Sequence, residues 1–387
     1  MRDKHKAQGA VSGFEVTGWV DTVGGFVARH PSLWRKLGNF ETRIVEASLP
    51  TLEADRPVYV AGLARSGSTV LLELLAAHPD TASHRYRDYP MLFTPYLWNR
   101  WLDRLPRRRE EPAERTHQDG IKVTSESPEA FEEVLWMAFF PQAHDPTGTS
   151  VLDRHDAHPE FEAFYRDHLR KLLAVRGGTR YVAKGNYNVT RMDYLLKLFP
   201  QARFVVPVRD PVWHIASLMK QHALFVKGQA DNPAARRHLA RVGHYEFGLD
   251  RRPIHTGDDT AIREVIELWR RGEEVHGWAR YWALIHGFLA DQLESDAELA
   301  EATFVVRYED LCAAPDRVFA NLLDHCELSR SEALLKTARD RLHVPDYYEP
   351  GFSDEELALI GRLTDPVAAR FGYEPVVGRC KAGAHSG

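Results

Sequence analysis

Cysteine, an excess of basic charge and long apolar runs are all missing or scarce in this sequence. The three cysteines, Cys312, Cys326 and Cys380, lack metal-ligand spacing, and such low, odd usage indicates a reducing compartment rather than a disulfide framework. The net charge of −5 gives no support to nucleic-acid binding. No apolar stretch of about 18 residues could span a bilayer, and residues 1–16 contain no apolar signal core. We therefore expect a cytoplasmic protein without a transmembrane segment.

A phosphate-type loop is present, but it lacks the Gly-Lys-Ser/Thr of an ATP-binding loop. Residues 60–72 read VAGLARSGSTVLL, so an apolar strand enters a Gly/Ser/Thr turn and an apolar helix leaves it. Gly62 and Gly67 permit close backbone approaches, the free amides of a helix start bind anions, and Arg65 adds a charged donor fork. Further hydroxyl donors are Ser66, Ser68 and Thr69. The loop fits a sulfate- or phosphate-like group, although an ordinary strand-to-helix turn with a capping serine would read similarly.

Apolar strands alternate with helices along much of the chain. The predicted strands cover residues 57–61, 181–183, 202–208 and 303–306, and one long amphipathic helix is predicted over 262–293. This alternation predicts an α/β fold with a central, mostly parallel sheet flanked by helices. An N-terminal helical segment (1–55), an aromatic and arginine-rich lid or substrate wall (85–120) and a polar insertion (224–260) are expected around it.

A second anion site is predicted after the strand ARFVVPV. The strand delivers Arg209, Asp210-Pro211 opens a helix, and Ser217 lies eight positions after Arg209. Arg209 and Ser217 can together hold a phosphate, or Arg209 can simply pair with Asp210. Ligands of parallel sheets bind beyond the carboxyl ends of the strands, so loops 62–69, 209–217 and 307–310 should converge there.

The ordered set of motifs resembles the sulfotransferases that use 3′-phosphoadenosine 5′-phosphosulfate (PAPS). GLARSGSTVLLELLAAHP resembles the 5′-phosphosulfate loop in its bacterial and Golgi-type form, with Arg-Ser-Gly at the basic position. YVAKGNYNVTRMDYLLKLFPQARFVVPVRDPVWHIAS resembles the stretch leading into the 3′-phosphate motif, and FVVRYEDLCAAPDRVFANLLDHCEL a late strand and helix. The resemblance implies a single P-loop-NTPase-like domain over 1–387, with its core at about 57–330, and no metal.

The resemblance also implies roles for the loop residues. Arg65 would contact the 5′-phosphate and the bridging oxygen, where charge develops during transfer. Arg209 and Ser217 would bind the 3′-phosphate that distinguishes this donor from ATP, and Tyr308 would lie near the nucleotide or simply pack at its strand end. The remaining donor-binding residues would be Ser66, Gly67, Ser68 and Thr69.

Transfer requires a base for the acceptor hydroxyl and a cation for the developing sulfonyl charge. FEEVLWM resembles the Glu-bearing segment of related enzymes and selects Glu133 as the base, with Glu129 and Glu132 as neighbours on the same predicted helix and His84 as the runner-up. Lys184 in AKGNYN resembles a lysine that lines the reacting centre. Gly185-Asn186 replaces a proline that relatives carry there, which leaves the local geometry open.

The acceptor is not written in these motifs. A small-molecule, lipid or glycan hydroxyl is expected, an amine is an alternative, and Phe93, Tyr96, Trp98 and Trp101 can form an apolar wall or pack against the N-terminal helices. The competing interpretations are a P-loop kinase, which should have the missing lysine, and a non-catalytic nucleotide-binding scaffold. The tract RLPRRREE is mixed in charge and is interpreted as a solvated loop. The oligomeric state is not indicated.

Overall fold

The computed structural model of the protein describes residues 13–49, 54, 56–106, 110–343 and 350–376. Cys380, the arginines at 107–109 and parts of the expected N-terminal segment 1–55 lie outside the described residues. Cys312 and Cys326 are free thiols. In the part of the chain that is described, no helix is long and apolar enough to cross a membrane.

The described residues form seven strands and a large set of helices. The strands are β1 (Val58–Ala61), β2 (Thr81–Ala82), β3 (Ala113–Glu114), β4 (Lys122–Val123), β5 (Arg180–Gly185), β6 (Arg203–Val208) and β7 (Thr303–Arg307). The helices are α1 (Gly18–Arg29), α2 (Pro31–Val45), α3 (Ser68–Ala76), α4 (Pro95–Leu102), α5 (Glu132–Phe139), α6 (Pro159–Arg176), α7 (Met192–Leu198), α8 (Pro211–Ala230), α9 (Pro233–Arg241), α10 (Asp259–Arg270), α11 (Glu274–Ser295), α12 (Ala297–Glu301), α13 (Tyr308–Ala313), α14 (Pro315–His325), α15 (Glu332–Arg341) and α16 (Asp354–Ala368). Short 3₁₀ turns cover Glu46–Ser48, Tyr86–Asp88, Asn186–Thr190 and Ala369–Phe371.

Five strands form a parallel sheet in the order β2-β5-β1-β6-β7. Alternate residues of the central strand β1 enter different apolar clusters: Tyr59 and Ala61 pack on one side, and Val58 and Val60 on the other. A strand that is apolar on both faces needs helices on both faces, because each face must be removed from water. The predicted α/β class with its parallel sheet is confirmed.

The register brings the predicted loops to one edge. Val60 of β1 pairs with Lys184 of β5 and with Val205 of β6, and Val208 of β6 pairs with Arg307 of β7. The segments that follow β1, β6 and β7 therefore leave the sheet side by side at its carboxyl edge. The expectation that these three strand ends converge is confirmed.

The single long helix expected over 262–293 is wrong, because two helices occupy this stretch. α10 ends at Arg270, α11 begins at Glu274, and Gly272 between them has φ +76°. A left-handed residue after a helix is a common helix stop, and glycine adopts it without a Cβ penalty. The apolar periodicity continues through this turn, so periodicity alone does not show the break.

The flanking segments are more regular than predicted. The expected lid contains helix α4 and the antiparallel hairpin β3–β4, and the expected insertion begins inside α8, which continues to Ala230. Of the expected apolar wall, Phe93 and Tyr96 are buried and Trp98 stacks on Trp19 of α1, with the two ring centroids 6.3 Å apart. These three aromatic side chains therefore pack inside or against the N-terminal helices.

Candidate functional site

The loop after β1 has the strained backbone of an anion-binding turn. Arg65 has φ 73° and Gly67 has φ 97°, both in the left-handed region, and α3 begins directly afterwards at Ser68. Gly67 is required for a second reason, because an added Cβ would lie 2.5 Å from a ring carbon of Tyr308. The buried Ser66 hydroxyl donates to the Leu63 carbonyl at 2.7 Å, so it braces the turn.

Residues predicted for two separate phosphates contact one another here. The Arg65 Nε donates to the Ser217 hydroxyl at 3.3 Å, and the Arg209 Nη1 donates to the Arg65 carbonyl at 3.3 Å. The Arg209 guanidinium also lies 5.5 Å from the centre of the Tyr308 ring. Arg209 and Ser217 are buried, at 5% and 3% exposure. Asp210 accepts from the first amides of α8 as its N-cap.

A cavity of about 260 Å³ opens between these loops. Its polar lining comes from the first loop, the strand ends, the β3–β4 hairpin and the segment after α15. The residues are Arg65, Gly67, Ser68, Thr69, Arg115, Asp119, Arg209, Tyr308, Arg341 and His343. Free amides at the start of α3 and several guanidinium groups make the cavity suited to an anion with more than one charge.

Four of these residues, Arg115, Asp119, Arg341 and His343, were not predicted. Arg115 is buried and donates to the Thr69 hydroxyl at 3.3 Å and to Asp119 through Nε at 2.9 Å and through Nη2. Asp119 also accepts from the Arg65 Nη1 at 2.7 Å. Burial would raise the pKa of Asp119, but the charges of Arg115 and Arg65 hold that pKa well below its ordinary value. One carboxylate therefore pairs with two arginines of the cavity and offsets only part of their charge.

Lys184 and Glu129 form a second charged group beside this cavity. Lys184 lies near the end of β5 and pairs with Val60 of β1, close to the point where the first loop begins. Its side chain is buried, at 8% exposure. Burial lowers the pKa of Lys184, with Arg115 and Arg65 acting in the same direction and Glu129 opposing them. Burial would raise the pKa of Glu129, but Lys184, the Tyr86 hydroxyl and Arg115 bring it below its ordinary value. The Glu129 carboxylate is therefore ionised at neutral pH and in the electrostatic field of the arginines.

Glu133, the predicted base, occupies a different environment. Both of its oxygens accept from the buried guanidinium of Arg191, at 2.8 and 2.9 Å, and His144 Nε2 lies 2.8 Å from its Oε1. Burial would raise the pKa of Glu133, but Arg191 and His144 lower it to about 2. A carboxylate held on both oxygens has a weak affinity for a proton and little freedom to reach an acceptor.

The other two alternatives for the base also lie in packed surroundings. Glu132 accepts from the hydroxyls of Tyr165 and Tyr181, the latter at 2.8 Å, inside the apolar core. His84 is 1% exposed, with its Nε2 3.1 Å from His168 Nε2 and its Nδ1 3.5 Å from Asp88. Both side chains are therefore engaged with other buried groups of the protein interior.

Metal ligands do not cluster in the described part of the chain. Within those ranges there is no group of three or more His, Cys, Asp or Glu side chains that could hold a metal ion.

A parallel sheet with arginine-bearing loops at its carboxyl edge defines an anion-binding α/β protein. A family model described as "Sulfotransferase family" matches residues 57–252, half of the chain. The chain therefore belongs to the sulfotransferase family, as its motifs predicted, and it is a sulfonyl-transferring enzyme rather than a kinase.

Curated relatives and solved structures are similar over most of the chain. An omega-hydroxy-beta-dihydromenaquinone-9 sulfotransferase, Stf3, of Mycobacterium bovis is 24% identical over 360 residues, which is 88% of this chain and 80% of the relative. The same protein of Mycobacterium tuberculosis matches equally. Crystal structures of STF9 from Mycobacterium avium (16% identity, TM-score 0.49, 92% of this chain and 85% of that chain) and STF1 from M. tuberculosis (18%, 0.47, 92% and 87%) are also similar.

Proposed function

We propose that this enzyme transfers the sulfonyl group of PAPS to a hydroxyl of an apolar small molecule or lipid. The observation that carries the proposal is the convergence of Arg65, Arg209 and Arg115 on one cavity at the carboxyl edge of the sheet, with Ser217 in contact with Arg65. The loop lacks the lysine that holds the β,γ-phosphates of ATP, while a buried Arg–Ser pair suits a second, separate phosphate. Both features favour a donor with a 3′-phosphate.

The reaction would be an in-line displacement at sulfur. The acceptor oxygen forms a bond to sulfur while the bond from sulfur to the bridging phosphate oxygen breaks, giving a sulfate ester and adenosine 3′,5′-bisphosphate. Arg65 would stabilise the charge on the leaving phosphate, and Lys184 the charge on the sulfonyl oxygens. Before the reaction, Lys184 is held by burial and by its place in β5, and Arg65 is held by its contacts with Ser217 and Asp119.

For the base we propose Glu129 in place of Glu133. Glu129 interacts electrostatically with Lys184 and Arg115, whereas both oxygens of Glu133 are taken up by Arg191 and His144. The acceptor proton would pass to the Glu129 carboxylate as the new oxygen–sulfur bond forms. In this assignment Glu133 holds α5 to the segment before α7 and takes no proton.

Asp119 would act as a substitute anion in the unloaded site. It contacts Arg65 and Arg115, two of the groups that a phosphosulfate would need. Binding of the donor would replace this carboxylate with the donor's own oxygens, and the β3–β4 hairpin would then release Asp119 while keeping Arg115 on the ligand.

An apolar acceptor is supported by a second cavity and by the relatives. A cavity of about 280 Å³ is lined mainly by apolar side chains, among them Val27, Phe93, Val134 and Met137. Val134 and Met137 belong to α5, the helix that follows Glu129 directly. The relatives that are 24% identical act, by name, on an omega-hydroxylated menaquinone, a lipid with a terminal hydroxyl.

The proposal is tested by transfer of label from [³⁵S]PAPS to a long-chain ω-hydroxy isoprenoid. The matched control acceptor is the same molecule with its hydroxyl methylated. Labelled ester should form with the free alcohol and not with its methyl ether. Because transfer requires the charge of Arg65, the Arg65→Ala variant should lose at least about 100-fold in turnover. Label on neither acceptor across a panel of apolar alcohols, or full turnover by Arg65→Ala, would contradict it.

A further inference from the structure

Exposed apolar side chains are concentrated on one part of the surface. Among the described residues, eleven large hydrophobic side chains are exposed, and nine of them lie on α1, α2 and α4 or in the turn after α4. They are Trp19, Phe26, Leu33, Leu37, Phe40, Ile44, Leu97, Trp101 and Leu105, with exposures between 37% and 56%. Scattered surface hydrophobics are normal, but a concentration of this kind marks an interaction site.

Helix α2 has two apolar faces, and only one of them packs on the protein. Its inner face carries the buried Trp34, Gly38 and Val45. Its outer face carries an exposed stripe at positions i, i+4, i+7 and i+11, formed by Leu33, Leu37, Phe40 and Ile44. At about 100° per residue these four side chains lie within one narrow arc, so the helix alone presents a continuous apolar ridge to the outside.

The three helices form one connected surface, here called the α1–α2–α4 face. Trp19 of α1 stacks on Trp98 of α4, and the Phe26 ring of α1 lies edge-on to Trp34 of α2. The backbone amide of Leu97 at the start of α4 donates to the Glu41 carboxylate of α2 at 2.7 Å. These contacts link the three helices that carry the exposed side chains.

The charge on this face is basic, although the whole chain carries −5. Exposed cations on the same helices and the turn after α4 are Arg29, Lys36, Arg43, Arg100 and Arg104. The exposed acids beside them, Glu46 and Asp103, are in ion pairs with Arg170 and Arg87 at 3.0 and 2.8 Å. Apolar ridges flanked by Arg and Lys, with tryptophan at the margin, are typical of surfaces that lie in the headgroup region of a membrane.

We propose that the α1–α2–α4 face docks this enzyme on an anionic lipid bilayer. Each exposed Lys or Arg near an anionic leaflet adds attraction, and the apolar ridge would enter the headgroup boundary. The inner side of α1 borders the apolar cavity, through Gly24 and Val27, and α5 closes it. A membrane acceptor would therefore meet this apolar cavity beside the docked face. This reason for docking rests on the proposed function, whereas docking itself does not.

The basic charge of the α1–α2–α4 face also favours a bilayer over a second copy of the chain as its partner. A two-fold interface places the same patch against itself, so the five exposed cations would face one another. Like charges brought together in this way oppose association, whereas anionic phosphates complement them.

The test is sedimentation of the full chain with vesicles of phosphatidylglycerol and phosphatidylcholine, compared with phosphatidylcholine alone. Wild type should bind the anionic vesicles, and more weakly as salt rises. Phe40→Ser/Ile44→Ser should weaken binding by about tenfold or more, since two apolar anchors are removed. The matched control is Leu249→Ser, which removes a side chain of 46% exposure elsewhere and should bind like wild type.

Two results would overturn the proposal. One is no binding of wild type to anionic vesicles. The other is a wild-type dimer, seen by light scattering, that the double variant splits, which would make the face an interface between copies. Binding of adenosine 3′,5′-bisphosphate by every variant checks the fold and is independent of vesicles, so loss of docking with intact nucleotide binding would leave the proposed function standing.

Discussion

Asp119 is the residue whose role the geometry defines most sharply, because it holds Arg65 and Arg115 at once. If the donor displaces this carboxylate, Asp119→Asn should bind adenosine 3′,5′-bisphosphate about tenfold more tightly, since no charge-assisted hydrogen bonds have to be broken first. Calorimetry measures the change. The control is Glu126→Gln, which removes a surface carboxylate that also pairs with two arginines, Arg85 and Arg87. Weaker binding by Asp119→Asn would instead make Asp119 a group that positions Arg115.

Glu129, which precedes α5 rather than lying on it as predicted, and Glu133, in the first turn of α5, can be distinguished by kinetics. Glu129→Gln should lower kcat by about 100- to 10,000-fold while bisphosphate affinity stays within about twofold, because a base is lost and the donor site is kept. Glu133→Gln should keep most of its turnover per folded molecule. The reverse pattern, a small loss at 129 and a large loss at 133 with an intact fold, would restore Glu133 as the base.

The titration of Lys184 should set the fall of kcat at alkaline pH. Burial lowers its pKa below the ordinary 10.5, so the charge needed in transfer is lost at a lower pH than for an exposed lysine. The kcat of wild type should therefore fall on the alkaline side, and Lys184→Arg, which stays charged, should lack that limb. A limb of the same midpoint in both proteins would show that another group titrates.

Local pattern was sufficient to predict that the loops converge, and insufficient to predict which distant residues contact them; the donor-binding roles remain a proposal. Arg65, Arg209 and Ser217 stand in short motifs at strand ends, so their convergence could be predicted from the parallel sheet. Arg115 reaches Thr69 across 46 positions of sequence, and Arg191 reaches Glu133 across 58, so no local spacing reveals either contact. The choice between Glu129 and Glu133 depends on that second contact.

At the scale of elements, Glu133 and Arg191 tie α5 to the start of α7 through a buried, two-pronged ion pair. The folded-state pKa of Glu133, about 2, is lower than its ordinary 4.5, so its contribution is complete above about pH 4.5 and is lost as the pH falls towards 2. Glu133→Gln should lower the free energy of unfolding at pH 7 by about 3–5 kcal/mol, because Arg191 is left buried without its partner.

Urea unfolding at a series of pH values measures this. Wild type should lose stability between pH 4.5 and 2 more steeply than Glu133→Gln, and the difference between the two should shrink over that interval. The control is Glu267→Gln, which breaks exposed pairs with Arg270 and Arg271 and should change stability little. Parallel curves for wild type and Glu133→Gln would contradict a role for this pair in acid stability.

The strands at the centre of the sheet were predicted best from the sequence. β1 and β6 are continuous apolar runs because both of their faces are covered, and these runs are visible in sequence. The break at Gly272 and the extension of α8 to Ala230 were missed because both depend on backbone conformation and on packing, which the apolar period does not encode.

At the scale of the whole molecule, the proposed reaction site and the proposed membrane-docking surface lie on different elements. The arginines of the proposed donor site lie at the carboxyl edge of the sheet, and the exposed apolar and basic side chains lie on the outer helices. The overall charge of −5 conceals both basic regions. The single-domain assignment, the core at about 57–330 and the cytoplasmic location remain predictions.

The central claim is that the arginine cavity binds a nucleotide with a 3′-phosphate, and one calorimetric comparison tests it directly. Adenosine 3′,5′-bisphosphate, AMP and ATP are titrated into wild type and Arg209→Ala. Wild type should bind the bisphosphate at least about 100-fold more tightly than AMP or ATP, and Arg209→Ala should lose most of that preference, because a charge-assisted contact to the 3′-phosphate is removed. Equal affinity for ATP, no binding of any of the three, or an undiminished preference in Arg209→Ala would contradict the account.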